Sequence, residues 1–121
     1  MLSFTFLLLI SVAIVSADNL YVSSYSGNIT SLSLNTVSGG EYVLSTLSVL
    51  NSLTPNPSWL TKIDNHIYVS NENFGASNGT ILQLSTTQTG DLSYEKKPLI
   101  VPGGPVSMYP YNHRKALAVA H

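Results

Sequence analysis

The chain has 121 residues, only 9% of them charged, and a formal net charge of -1, where an average globular protein has about 25% charged residues. Its five basic residues, Lys62, Lys96, Lys97, Arg114 and Lys115, form no patch interleaved with aromatics, which argues against a nucleic-acid partner. The absence of Cys excludes a disulfide framework, a thiolate zinc site and a thiol nucleophile.

In chain order, the first segment is "MLSFTFLLLISVAIVSA". Its apolar core runs from Phe4 to Val15, and Val15-Ser16-Ala17 is a small-residue pattern suited to cleavage before Asp18. Residues 1–17 therefore read as a secretory signal peptide. The run is shorter than the roughly 20 apolar residues of a spanning helix, so the expectation is a secreted, extracellular protein with no stable membrane span after cleavage. From residue 18 onward no helical period appears, and short runs of Val, Ile, Thr and Tyr are punctuated by Gly and Pro, which predicts an all-β fold.

The expected strands are Leu20 to Val22, Ile29 to Leu34 and Tyr42 to Leu50, then Pro57 to Ile63, a tight turn at Asp64-Asn65, His66 to Ser70, Thr80 to Ser85 and Leu92 to Val101. Residues 105 to 120 begin a further set. Asn28-Ile29-Thr30 and Asn78-Gly79-Thr80 are N-glycosylation sequons in a chain that enters the secretory pathway.

These segments repeat. Tyr21, Tyr68 and Leu117, in "LYVSSYS", "HIYVSNEN" and "LAVAH", stand 47 and 49 residues apart. "GNITSLSL" answers "GTILQLS", Gly40-Glu41 answers Gly90-Asp91, and Pro57 answers Pro105. A period of about 40 to 50 residues built from short strands is the mark of a β-propeller of four-stranded blades. Residues 18–121 then supply about two and a half blades, the first without its innermost strand. A ring needs four to eight blades, so the expectation is the N-terminal part of a longer propeller, or of a shortened reading frame.

The same residues resemble a known family, the seven-bladed lactonase propellers, which include 6-phosphogluconolactonases of the bacterial type and fungal carboxy-cis,cis-muconate cyclases. The resemblance covers residues 20 to 121 and rests on "LYVSSYSGNITSLSLN", on "NPSWL" followed by "IYVSNEN", on "GTILQLSTTQTGDLSYE", and on "GGPVSMYP" with "LAVAH". Two features depart from the family. "KIDNHIY" replaces the usual Pro-Asp-Gly turn, and a signal peptide is foreign to the cytosolic sugar-phosphate enzymes.

With the strands so phased, one edge of the ring collects "TPNPSW", "PGGPV", "NENFGASNG" and His121. Glu72 lies there, with Tyr25 and His121 at related points of the flanking blades, whereas His66, His113, Arg114 and Lys115 fall near the opposite turns. A lactone hydrolase needs a base to activate water and donors to hold the oxyanion. Glu72 fits the base or orienting group, and His121 a proton carrier or donor. Tyr25 and Asn71 are candidate substrate contacts.

Cations for an anionic substrate are missing from this edge, and the resemblance implies that further His and Arg residues come from later blades. The competing role for Glu72 is structural, a carboxylate that accepts backbone N–H bonds in an Asn-rich loop and ties neighbouring blades. Ser58 and Ser107 read as hydrogen bonders where the inner strands begin, because neither has a nucleophile-elbow context. Trp59 and Tyr109 read as packing between blades. Scattered His and acids give no metal spacing, and no cofactor is expected.

Three functions therefore compete. The first is a lactonase-like hydrolase acting on a small anionic lactone. The second is a muconate cyclase-like lactonizing isomerase, and the third a non-catalytic secreted glycoprotein that binds a partner.

Overall fold

The computed structural model describes residues 18–51, 53 and 55–121. The signal-peptide expectation for residues 1–17 lies outside the described residues. The described chain is all-β, with three antiparallel sheets following one another along the sequence and none closing into a barrel.

Sheet 1 holds β1 (Asp18–Ser24), β2 (Asn28–Thr36) and β3 (Tyr42–Leu50), in that order. Alternation explains its faces. Along β2, Ile29, Ser31 and Ser33 are buried while Thr30, Leu32 and Leu34 are only half-buried, the period of two expected of a pleated strand. Leu20, Val22, Leu44 and Val49 belong to the opposite, uncovered face and stay exposed.

Sheet 2 holds β4 (Pro57–Ile63), β5 (His66–Asn71) and β6 (Asn78–Thr86), and two short strands, β7 (Leu92–Tyr94) and β8 (Leu99–Pro102), both pair with β6. The β4 to β5 turn is Asp64-Asn65 as expected, with Asp64 at φ 53°, a left-handed conformation that Asp tolerates. One expected element differs. The single outer strand from Leu92 to Val101 is interrupted over residues 95–98, where Lys96-Lys97-Pro98 brings two exposed cations and a proline without an N–H.

Sheet 3 is the hairpin of β9 (Ser107–Tyr111) and β10 (Ala116–Ala120). Its turn contains three consecutive left-handed residues, Asn112, His113 and Arg114.

The core lies between sheets 1 and 2. Ile29, Leu53, Ile67, Val69, Leu82 and Leu84 are buried together, with Tyr21, Leu50, Leu60 and Leu92 packed around them. Full burial of each such aliphatic side chain stabilises by about 1.5–3 kcal/mol, so this cluster is the main force joining the two sheets. Polar side chains also cross between sheets. The Tyr21 hydroxyl meets Thr86 Oγ1 at 2.8 Å, Ser58 Oγ donates to the Pro105 carbonyl at 3.2 Å, and Thr61 Oγ1 donates to the Met108 carbonyl at 3.0 Å. Trp59 and Tyr109, expected to pack between sheets, are instead exposed.

Candidate functional site at the Glu72 edge

Backbone hydrogen bonds draw four loops to one edge of the sheets. Glu72 N–H donates to the Asn56 carbonyl at 3.1 Å, the Glu72 carbonyl accepts from Gly104 N–H at 3.3 Å, and Gly103 N–H donates to the Ser77 carbonyl at 2.9 Å. Leu53 N–H reaches the Gly27 carbonyl at 3.0 Å. The segments entering β4 and β9, the β1 to β2 turn and the β5 to β6 loop therefore meet where the sequence placed them.

Glu72 immediately follows β5 and is 9% exposed. The Tyr25 hydroxyl, from the neighbouring sheet, donates to its Oε1 at 3.2 Å. Among the described residues, the second carboxylate oxygen has no hydrogen-bond partner. Desolvation, then the bond to Glu72 and then its negative charge, push the Tyr25 hydroxyl pKa above the ordinary 10.0, so the hydroxyl stays a donor to Glu72 into more alkaline solution than a free tyrosine would.

Asn71 is buried and fully engaged. Its Oδ1 accepts from Asn56 N–H at 3.1 Å, and its Nδ2 donates to Thr80 Oγ1 at 3.2 Å. It fixes the segment entering β4 against β5 and β6, and its amide is turned into the fold.

His121 is exposed, with Nδ1 3.2 Å from the Gly103 carbonyl. It thus joins the same loop that Glu72 binds through Gly104. Counting from Tyr68 and Leu117 sets it level with Glu72, but strand pairing sets it one place earlier. Val119 opposes Met108 as Val69 opposes Leu60, which makes His121 the counterpart of Asn71. The β9 to β10 turn is two residues longer than the β4 to β5 turn, and this changes the count.

Two contributors had escaped the sequence reading. Phe74 sets its ring edge-on to Tyr25, with centroids 5.7 Å apart, and Asn56 Oδ1 accepts from Phe74 N–H at 3.4 Å. An aromatic inside an Asn-rich loop was the available signal for Phe74. Asn56 stands in the "TPNPSW" segment that the sequence placed at this edge, but nothing marked its side chain as a partner of the β5 to β6 loop.

The basic groups lie elsewhere. Arg114 pairs with Asp64 at 3.0 Å between two exposed side chains, and His66 Nε2 lies 3.0 Å from a Glu95 carboxylate oxygen. A cavity of about 280 Å3 opens between sheets 2 and 3, walled by Tyr68, Ile81, Leu99 and Leu117 with Arg114 and Lys115 at its border. None of Tyr25, Asn71, Glu72 or His121 lines it. Among the described residues, no three His, Asp or Glu side chains gather into a metal-binding group. Ser58 behaves as expected, bonded to Ser70 Oγ at 3.1 Å as well as to Pro105.

Comparison with protein-family models, with curated proteins and with solved structures found no match.

Proposed function

We propose that the three sheets are successive blades of a lactonase-type propeller, and that the protein is a secreted hydrolase acting on a small anionic lactone. The supporting observation is Glu72, a residue only 9% exposed whose carboxylate is oriented through one oxygen by Tyr25, with the other unpartnered among the described residues. In this reading the free oxygen takes a proton from water as the water oxygen bonds to the lactone carbonyl carbon. The ring C–O bond then breaks and its oxygen receives the proton, giving the hydroxy acid. Cationic groups that hold the substrate carboxylate belong to blades beyond those described.

The uncovered apolar face of sheet 1 supports the ring. Leu20, Val22, Leu32 and Thr30 there pair as Ile67, Val69, Leu84 and Leu82 do in sheet 2, where all four are buried against sheet 1. A preceding blade would bury the first set in the same way.

The natural protein carrying this sequence, assayed against a panel of lactones, tests the role of Glu72. Glu72→Gln keeps an acceptor for Tyr25 but removes the base, so turnover is expected to fall by about 10²–10⁴-fold with little change in melting temperature. Unchanged turnover would remove Glu72 from the chemistry. It would favour a second reading, a non-catalytic extracellular glycoprotein, which the Tyr25 to Glu72 bond supports because it clasps two sheets together.

A further inference from the structure

The two sequon asparagines each open a strand at one edge of the fold, although strand pairing sets Asn78 two places ahead of Asn28, since Asn28 lies opposite Ser24 whereas Asn71 lies opposite Thr80. Asn28 is the first residue of β2 and Asn78 the first of β6, so both stand at the edge that carries Tyr25 and Glu72. Each follows a short loop bearing an exposed aromatic. Tyr25, three residues before Asn28, is 54% exposed, and Phe74, four residues before Asn78, is 63% exposed.

Both loops are pinned close to their asparagine. Gly27 N–H donates to the Ser24 carbonyl at 2.9 Å, and Asn28 Nδ2 donates to Ser26 Oγ at 3.3 Å. In the longer loop, Ala76 N–H donates to the Asn73 carbonyl at 3.0 Å, and Asn73 Nδ2 reaches the Asn78 carbonyl at 2.9 Å. Because the two rings meet edge to face, they make one aromatic ridge bridging the two loops that lead to the glycan acceptors. The outer ring surfaces face solvent, where aromatic area is costly.

We propose that N-linked glycans on both Asn28 and Asn78 cover the Tyr25–Phe74 ridge, each innermost sugar laying its C–H face over the neighbouring ring. In attachment, the asparagine Nδ2 bonds to the anomeric carbon of a lipid-diphosphate-linked oligosaccharide, loses one proton, and the lipid diphosphate leaves. The inference rests on the secretory reading of residues 1–17 and is independent of the lactone chemistry, so the Glu72→Gln assay and the following experiment fail separately.

Phe4, Phe6 and Phe74 are the three phenylalanines of the chain. Within residues 18–121 Phe74 is the one phenylalanine, and the resonance of a 4-fluorophenylalanine label there is assigned by its loss in Phe74→Ser. Secreted, labelled protein is first mapped by peptide mass spectrometry, with occupancy expected at both asparagines. The H2O to D2O shift of the fluorine resonance is then compared before and after enzymatic removal of the glycans, and is expected to increase as the ring gains solvent. Binding of a hydrophobic dye should rise on the same treatment, and Phe74→Ser should abolish most of that rise. A vacant asparagine at either site overturns the proposal. So does a fluorine resonance indifferent to deglycosylation, a result that would leave the ridge free for a protein partner.

Discussion

Adding one methyl group at Gly79 probes how sheet 3 is seated on sheet 2. A Cβ there would lie 2.4 Å from Pro105 Cδ, 2.8 Å from Pro105 Cγ and 2.7 Å from the Asn71 carbonyl oxygen, so relief requires movement of about 1 Å. Neither neighbour yields easily. Pro105 is a rigid ring and fully buried, and the Asn71 carbonyl belongs to β5 where it pairs with β6 at Thr80. Overpacking of this kind costs about 1–3 kcal/mol, with stiff neighbours favouring the upper half. Ala also restricts the unfolded chain, which returns about 0.4–1 kcal/mol. The net expectation for Gly79→Ala is a loss of roughly 1–2.5 kcal/mol, and a melting temperature lower by about 5–15 °C. Thermal and urea melts of the wild-type and variant proteins read it directly. Pro105→Ala removes two of the three clashing atoms, so Gly79→Ala should cost about 1 kcal/mol less in that background. A cost below about 0.5 kcal/mol in the wild type, or one equal in both backgrounds, would show that Pro105 does not rest over Gly79.

Ser31 is fully buried, and among the described residues its Oγ has no hydrogen-bond partner. Ser31→Ala is therefore expected to be neutral or to stabilise by up to about 1 kcal/mol in a urea melt, whereas a clear loss would show that the hydroxyl is satisfied. Burial pushes the Tyr94 hydroxyl pKa above the ordinary 10.0, and that hydroxyl donates to the Leu53 carbonyl at 3.2 Å. The folded state thus holds this proton more tightly than the unfolded one, so the stabilisation is complete below pH 10 and is lost as pH rises through the folded pKa. Urea midpoints should fall above about pH 10, and less steeply in Tyr94→Phe; identical slopes would assign the fall to other groups.

Strand identity was legible because alternation and turn residues agree. Pro57–Ile63 and Tyr42–Leu50 occur with the expected bounds, and the Asp64-Asn65 turn falls between two paired strands, β4 and β5. Breaks within strands were less legible. The Lys96-Lys97-Pro98 interruption follows a continuous-looking β pattern, and only Pro98 marked it. Aromatic placement was misread at Trp59 and Tyr109, since sequence shows that a residue is large but not which face of its sheet has a neighbour. At the site, the meeting of Tyr25 with Glu72 followed from the 47-residue repeat. The engagement of Asn71 did not, because its partners Asn56 and Thr80 are set by the register of three strands.

That register explains why a sequence period locates an edge more reliably than it aligns side chains on it. Ser58 to Pro105, Thr61 to Met108 and Tyr25 to Glu72 are three hydrogen bonds between sheets, each spanning 47 residues. Two of them join β4 to β9 and the segment entering it, and the third joins the end of β1 to the end of β5. The hairpin turns and the β5 to β6 loop are under no such restraint. The β9 to β10 turn gains two residues over its counterpart, and the connection closed by the Asn71 and Thr80 pair gains five over the one closed by Ser24 and Asn28. Each gain preserves the strands and displaces the count beyond it. Glu72 therefore keeps its Tyr25 partner, while His121, counted across the longer turn, falls level with Asn71 and binds Gly103 in the segment entering its own hairpin.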